Sequence, residues 1–221
     1  MKHSLTLGLA ALALAGCSGL PPVPGTPTKD MSFFVTSANP GKGADLGGLD
    51  GADKHCRKLA DAVGVGAKNW RAYLSTQPTA NAPGINARDR IGKGPWKNAN
   101  GVVVATSVAD LHGAASNLNK KTAVNERGAV VNGRGDTPNL HDILTGSQSD
   151  GSFIAGSADT TCGNWTKSGD GAAMVGHHDR IGLDDSAPAK SWNSSHQSRG
   201  CSSQALASTG GGGYFYCFVA D

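Results

Sequence analysis

The sequence predicts an α+β protein with mixed, mostly antiparallel sheets, two helices and a long loop region, and three observations predict it. An apolar, aromatic run, Gly213, Tyr214, Phe215, Tyr216, Cys217, Phe218 and Val219, closes the chain as a strand expected at the centre of a sheet. One segment, residues 50–63, carries apolar residues at helical spacing. Glycine content is the third observation: 32 glycines among 221 residues, with only 5% aromatics, point to a loop-rich protein rather than a helical bundle.

The chain opens on a short basic head, Met1, Lys2 and His3, then an apolar run from Leu5 to Leu14 that is too short to span a bilayer. Leu14, Ala15, Gly16 and Cys17 follow at once and resemble the bacterial lipobox. Residues 1–16 read as a lipoprotein signal peptide, and Cys17 as the residue that receives the lipid, palmitate included. Ser18 after the anchor implies the outer membrane in a cell with two membranes. Residues 17–30 contain Pro21, Pro22, Pro24 and Pro27 and read as an extended spacer. Residues 31–221 are then one domain.

Within that domain, Met31 to Ser37 is β-prone and forms a first expected strand. Asp50 is placed to cap a helix whose inward stripe is Ala52, Cys56, Leu59 and Val63, with Gly64 as the left-handed stop. Trp70 to Thr76 alternates as a strand, with Trp70, Ala72 and Leu74 on one face and Arg71, Tyr73 and Ser75 on the other. Val102 to Ala105 is another strand, and Ser107 caps a short helix with Val108, Leu111, Ala115 and Leu118 inward. From Asn119 to Asp159 regularity fades into a long structured loop region. Thr160 to Thr166, Ala172 to Gly176 and Tyr214 to Val219 are the expected closing strands.

With Cys17 given to lipid, four of the five cysteines remain, and an even number in an exported chain predicts two disulfides in one of three pairings. Metal binding by these thiols is the weaker reading, because no two stand at CxxC spacing. Cys56 lies on the buried stripe of the first helix, where it can reach a core strand, so Cys217 is its natural partner.

The order of these elements resembles the C-type lectin-like fold, and within it the endostatin type that ends certain collagens. The likeness rests on Gly51, Ala52 and Asp53 before Cys56, on Ala62, Val63 and Gly64, on Trp70 to Ser75, on Thr145, Gly146 and Ser147, and on Cys162 to Trp165. It spans about Phe33 to Val219. The resemblance implies pairing of Cys56 with Cys217 and of Cys162 with Cys201. It also directs attention to the calcium-dependent sugar site of that fold. Thr137, Pro138, Asn139 and Trp192, Asn193, Ser194 stand at the corresponding positions, but Thr137 and Ser194 lack the charged oxygens a hard cation takes. Calcium remains possible only if carboxylates such as Asp136, Asp142, Asp150, Asp184 or Asp185 replace them.

Three other patterns deserve weighing. His177, His178 and Asp179, with His196 beyond, are a candidate zinc set or base, although adjacent histidines in a strand face opposite ways. The pattern leaves the metal unknown. Arg134, Gly135 and Asp136 spell a tripeptide that animal integrins bind, a three-residue match of low specificity. Net charge of +3 without a basic stripe predicts no nucleic-acid partner. No hydrolase or phosphate-loop motif is present, and no catalytic residues are assigned.

The expectation is thus a non-catalytic binding module of the cell envelope, held to the membrane only by its lipid anchor, facing the periplasm or the outside. Its ligand is a glycan or an envelope or host protein, with Asn139, Asp136, Asp150, Trp192 and Asn193 as candidate ligand-binding residues. The competing expectations are a structural envelope lipoprotein or adhesin without sugar binding, and then a hydrolase.

Overall fold

A computed structural model describes residues 27–220. The signal peptide, Cys17 and most of the spacer lie outside the described residues. In chain order the elements are β1 (Phe33–Val35), α1 (Gly48–Asp61), β2 (Trp70–Ala72), β3 (Trp96–Lys97), β4 (Val103–Ala105), α2 (Val108–Leu111), β5 (Asp142–Leu144), β6 (Met174–His177), β7 (His196–Gln197) and β8 (Gly211–Val219). Single helical turns at Ala87–Arg90 and Ser203–Ala207 complete them. This is an α+β arrangement whose strand pairs are mostly antiparallel.

The terminal strand is central, as its apolar sequence predicts. One sheet runs β1-β8-β5-β6-β7, and β2 also pairs with β8. The C-terminal half of β8 lies between β1 and β2, both antiparallel, with Phe33 opposite Phe218 and Ala72 opposite Cys217. Its N-terminal half runs parallel to β5. The register slips there: Asp142 faces Gly211, whereas Ile143 faces Tyr214. Such a bulge re-aims the side chains beside it. Gly213 makes it possible, with φ at +70° and Asn39 Nδ2 only 2.1 Å from where a Cβ would stand.

Two apolar clusters cover the two faces of the sheet. Phe34, Cys56, Trp70, Leu144, Trp165, Val175, Phe215 and Cys217 belong to one, and Phe33, Tyr73, Trp96, Ile143, Trp192, Tyr216 and Phe218 to the other. Alternation along β8 and its neighbours divides them, since successive side chains leave on opposite faces. Tyr73 is consequently buried like Trp70, on the opposite face.

Both disulfides join the expected partners, Cys56 to Cys217 and Cys162 to Cys201. Across separations of 161 and 39 residues, chain-entropy reasoning assigns them about 5 and about 4 kcal/mol. Asp53 adds a charged anchor that the sequence did not reveal. Its buried carboxylate accepts from Arg71, Arg90 and the Ala72 backbone N–H, tying α1 to β2.

Several local expectations are corrected. The first helix begins behind Gly47 in a left-handed conformation with no side-chain cap, so Asp50 sits in the first turn, where its charge suits the helix dipole. Ser107 does cap α2 by accepting from the Asp110 N–H, but that helix lasts one turn and leaves Ala115 exposed. The two expected helices therefore become one full helix and several single turns. Residues 160–166 are not a strand: Cys162, Gly163, Asn164 and Trp165 all have φ between 48° and 68°, a left-handed turn. Such a turn costs non-glycine residues about 1–2 kcal/mol each. Cross-links offset it, because the Asn164 amide bonds both backbone groups of Gln77 and Trp165 Nε1 donates to the Ser75 carbonyl. At the start, Thr28 and Asp30 are part of the fold rather than of the spacer: Thr28 N–H donates to Ala99 and Asp30 pairs with Lys97.

Candidate metal centre

The loop region expected between Asn119 and Asp159 contains β5, a strand at the heart of the sheet. Its first residue, Asp142, is directly opposite His177 of β6. One step inward the same face presents Leu144 opposite Val175, both in the core. His196 of β7 stands opposite Val175, diagonal to His177. Cross-strand and diagonal neighbours on one face are within reach of long side chains. The sheet face that is apolar at Leu144 therefore ends in a polar cluster of Asp142, His177 and His196, and His141 joins it from the residue before β5. The extended path of β6 sends His178 the other way, where Nε2 meets the Asn132 carbonyl at 3.0 Å.

Three imidazole nitrogens converge on one oxygen. His141 Nε2 is 3.2 Å from Asp142 Oδ1, His177 Nε2 3.3 Å and His196 Nε2 3.4 Å. Asp142 is buried, as are His141 and His177; the His196 side chain is 38% exposed and is the way in. Neither carboxylate oxygen of Asp142 has a hydrogen-bond partner, nor does His141 Nδ1 or His177 Nε2, so the short contacts are not aligned bonds. Four of the eight unpartnered buried side-chain polar atoms among the described residues belong to this cluster, and leaving so many unpaired in one place is costly.

The other nitrogen of each ring also faces oxygen. His141 Nδ1 is 3.4 Å from Asp179 Oδ1, His177 Nδ1 is 2.7 Å from the Ala189 carbonyl, and His196 Nδ1 is 3.0 Å from the Gln197 carbonyl. A neutral imidazole has one N–H, so whichever tautomer is chosen, each ring turns a lone pair toward an oxygen acceptor. Protonating all three rings is the alternative, but His141 and His177 stack with centroids 4.1 Å apart, and two imidazolium ions so placed repel. One divalent cation among His141, His177 and Asp142 removes the conflict for the two buried rings, while His196 faces the Asp142 carboxylate from the exposed side. Each Nδ1 is then the N–H that an outer carboxylate or carbonyl orients, the usual arrangement around a metal-bound histidine. The donor atoms of His141, Asp142 and His177 all lie within 4.8 Å of one another, a set of three that one ion can share; His196 approaches Asp142 but stands outside that set.

The local field is consistent with this. Burial pushes the Asp142 carboxyl up, yet His177 and His196 more than offset it and hold it at about 2. Burial likewise raises Asp179, but His141 and the backbone N–H groups of Arg134 and Ile181 bring it well below the usual carboxylate range. Asp142 in turn raises His196. Both carboxylates are therefore ionised ligands or orienters at neutral pH.

The sequence candidates lie elsewhere. Trp192 is packed among Tyr73, His112 and Tyr216, and Asn193 Nδ2 donates to Tyr73 Oη and to the carbonyls of Gln148 and Ser149. Asp136 pairs with Lys120, and Asp150 with Arg88 and Ser152. Asn139 Oδ1 accepts from the His141 N–H at 3.3 Å. Trp192 and Asn193 are buried, whereas Asp150 is exposed. Of the histidine pattern read from sequence, His177 and His196 meet at Asp142, and Asp179 stands behind His141. His141 and Asp142 supply the rest; Asp142 was weighed only as a calcium substitute and His141 carried no signal at all. An aspartate and histidine in adjacent positions at a strand start become informative only through their cross-strand partners.

No family model matches the chain, and no curated protein matches it.

Proposed function

We propose that this chain is a metal-containing binding module of C-type lectin-like, endostatin-type architecture, anchored by lipid at Cys17 in the outer membrane. His141, His177 and Asp142 hold a transition-metal ion, with His196 beside Asp142 at the cleft, and the ion is zinc by the chemistry of the donors, since imidazole with one carboxylate suits that ion better than calcium. The observation that carries the reading is the convergence of three Nε2 atoms on a buried, unbonded carboxylate oxygen. The ion lies below a cleft of about 500 Å³ that the three histidines line, a volume suited to a small ligand or the end of a larger one. The fold supports a binding role, because disulfide-locked strands hold irregular loops around the cleft. Among the described residues no helix is long and apolar enough to cross a membrane, and the lipid on Cys17 is the proposed attachment.

The test is a zinc titration of the oxidised, metal-stripped protein by calorimetry, beside His177→Ala and Asp142→Asn. One equivalent of zinc is expected for the parent and none of comparable affinity for the variants. Unchanged binding in both variants would dismiss the site. A glycan array with and without chelator then separates a metal-dependent lectin from a module that contacts protein.

A further inference from the structure

Above the histidines the cleft is lopsided in charge. Arg134 and Arg199 both line it, both are exposed, and neither makes an ion pair with any described carboxylate, whereas most other arginines of the domain are engaged in ion pairs or backbone bonds. Their backbones are anchored. Arg134 N–H donates to Asp179 Oδ2 at 2.6 Å, which ties it to the carboxylate behind His141. Arg199 is two residues before Cys201, whose disulfide and N–H bond to Gly169 fix that loop. One acid, Asp184, shares the cleft wall, and it is occupied in its own turn by accepting from the Ser186 N–H.

The cleft thus carries two unpaired guanidinium groups over a site that holds a further positive charge once a divalent ion is bound to two neutral imidazoles and one carboxylate. We propose that the cleft binds the oxyanion group, carboxylate or phosphate, of a small polar molecule, with Arg134 and Arg199 as its partners and the metal's solvent side as its third contact. This deepens the metal-site reading and rests on it. Guanidinium forks match planar oxyanions geometrically. The three histidines line the cleft whereas Asp142 lies beneath them, so the accessible side of the ion faces the arginines. Zinc held by three protein ligands keeps a fourth position open for an outside ligand. The cleft's volume exceeds that of a bare anion, which is why the anion is expected to be one end of the ligand. The Arg134 side chain then acts inside the cleft rather than as part of an adhesive tripeptide.

The experiment measures binding of glucuronate, glucose 6-phosphate and glucose to the full chain loaded with zinc, to the metal-stripped chain, and to zinc-loaded Arg134→Gln, Arg199→Gln and the double variant. Zinc affinity is measured in every case. Expected results are binding of at least one acidic sugar about tenfold or more tighter than glucose, a loss of about tenfold in each single variant, which is the scale of one charge-assisted hydrogen bond, and zinc affinity unchanged. Preference between the two acidic sugars identifies the anion. Equal binding of glucose, or full affinity in the double variant, overturns the proposal while the metal site stands. Failure to bind zinc at all overturns both.

Discussion

Two buried polar clusters lie on this sheet, and they differ in how completely the chain satisfies them. Around Tyr73 the circuit is closed: His112 Nδ1 donates to the Val108 carbonyl at 2.8 Å, His112 Nε2 accepts from Tyr73 Oη at 2.7 Å, and Tyr73 Oη accepts from Asn193 Nδ2 at 3.0 Å. Every donor there has an acceptor, and burial keeps Tyr73 un-ionised by pushing its hydroxyl far up. Around Asp142 histidines and a carboxylate face one another with lone pairs. A closed circuit fixes architecture; an open one of good ligands is a site for something the chain does not itself contain.

The sharpest way to break this comparison is Asp142→Asn. It is expected to lower zinc affinity by more than the roughly 10–100-fold that outer partners of a metal site typically contribute. It should also abolish the thermal stabilisation that zinc gives the parent, about 2.7 kcal/mol at a free concentration 100 times Kd. Competition with a chromophoric chelator and a melting curve measure the two. Persistence of both would return Asp142 to a structural role.

Asp179→Asn should act through His141 and cost about 10–100-fold in zinc affinity, with the circular dichroism spectrum of the fold retained. An affinity within twofold of the parent would show that Asp179 serves only the Arg134 and Ile181 backbone. In the closed circuit the converse is expected. Asn193→Ala leaves the Tyr73 hydroxyl and two carbonyls short of a partner and should lower unfolding free energy by about 1–3 kcal/mol, with zinc affinity unchanged. Loss of zinc binding in that variant would mean that the two clusters are coupled.

The smallest effect is on pH. Burial holds His112, like His55, below the ordinary imidazole pKa, so on acidification the unfolded chain takes up those protons first. Their contribution to stability is whole above about pH 6.5 and is lost as pH falls through the range below it. Denaturant melts of metal-stripped protein between pH 7.5 and 5 should show this decline, and His112→Gln should flatten it. An identical slope in the variant would place the acid sensitivity elsewhere.

Patterns confined to one element were legible. The apolar stretch Tyr214 to Val219 marked the central strand, the inward stripe of α1 directed Cys56 to Cys217, and Ser107 was read correctly as a cap. Where conformation depended on distant partners the residues misled. Cys162 to Trp165 has the composition of a strand end, but bonds to Gln77 and Ser75 hold it in a left-handed turn. Trp192 and Asn193 carry the look of a recognition pair, yet Tyr73 and two loop carbonyls claim them for the interior.

The sequence by itself determined the central strand, the first helix, the disulfide count and the α+β class, because apolar periodicity and cysteine parity are local and additive. Only the tertiary structure decided the site. His141 and Asp142, His177 and His196 are spread over 56 positions of the chain, and what unites them is strand register: β5 beside β6 and β6 beside β7. Register follows from how the whole sheet packs, and a shift of one residue would send these side chains to the opposite face.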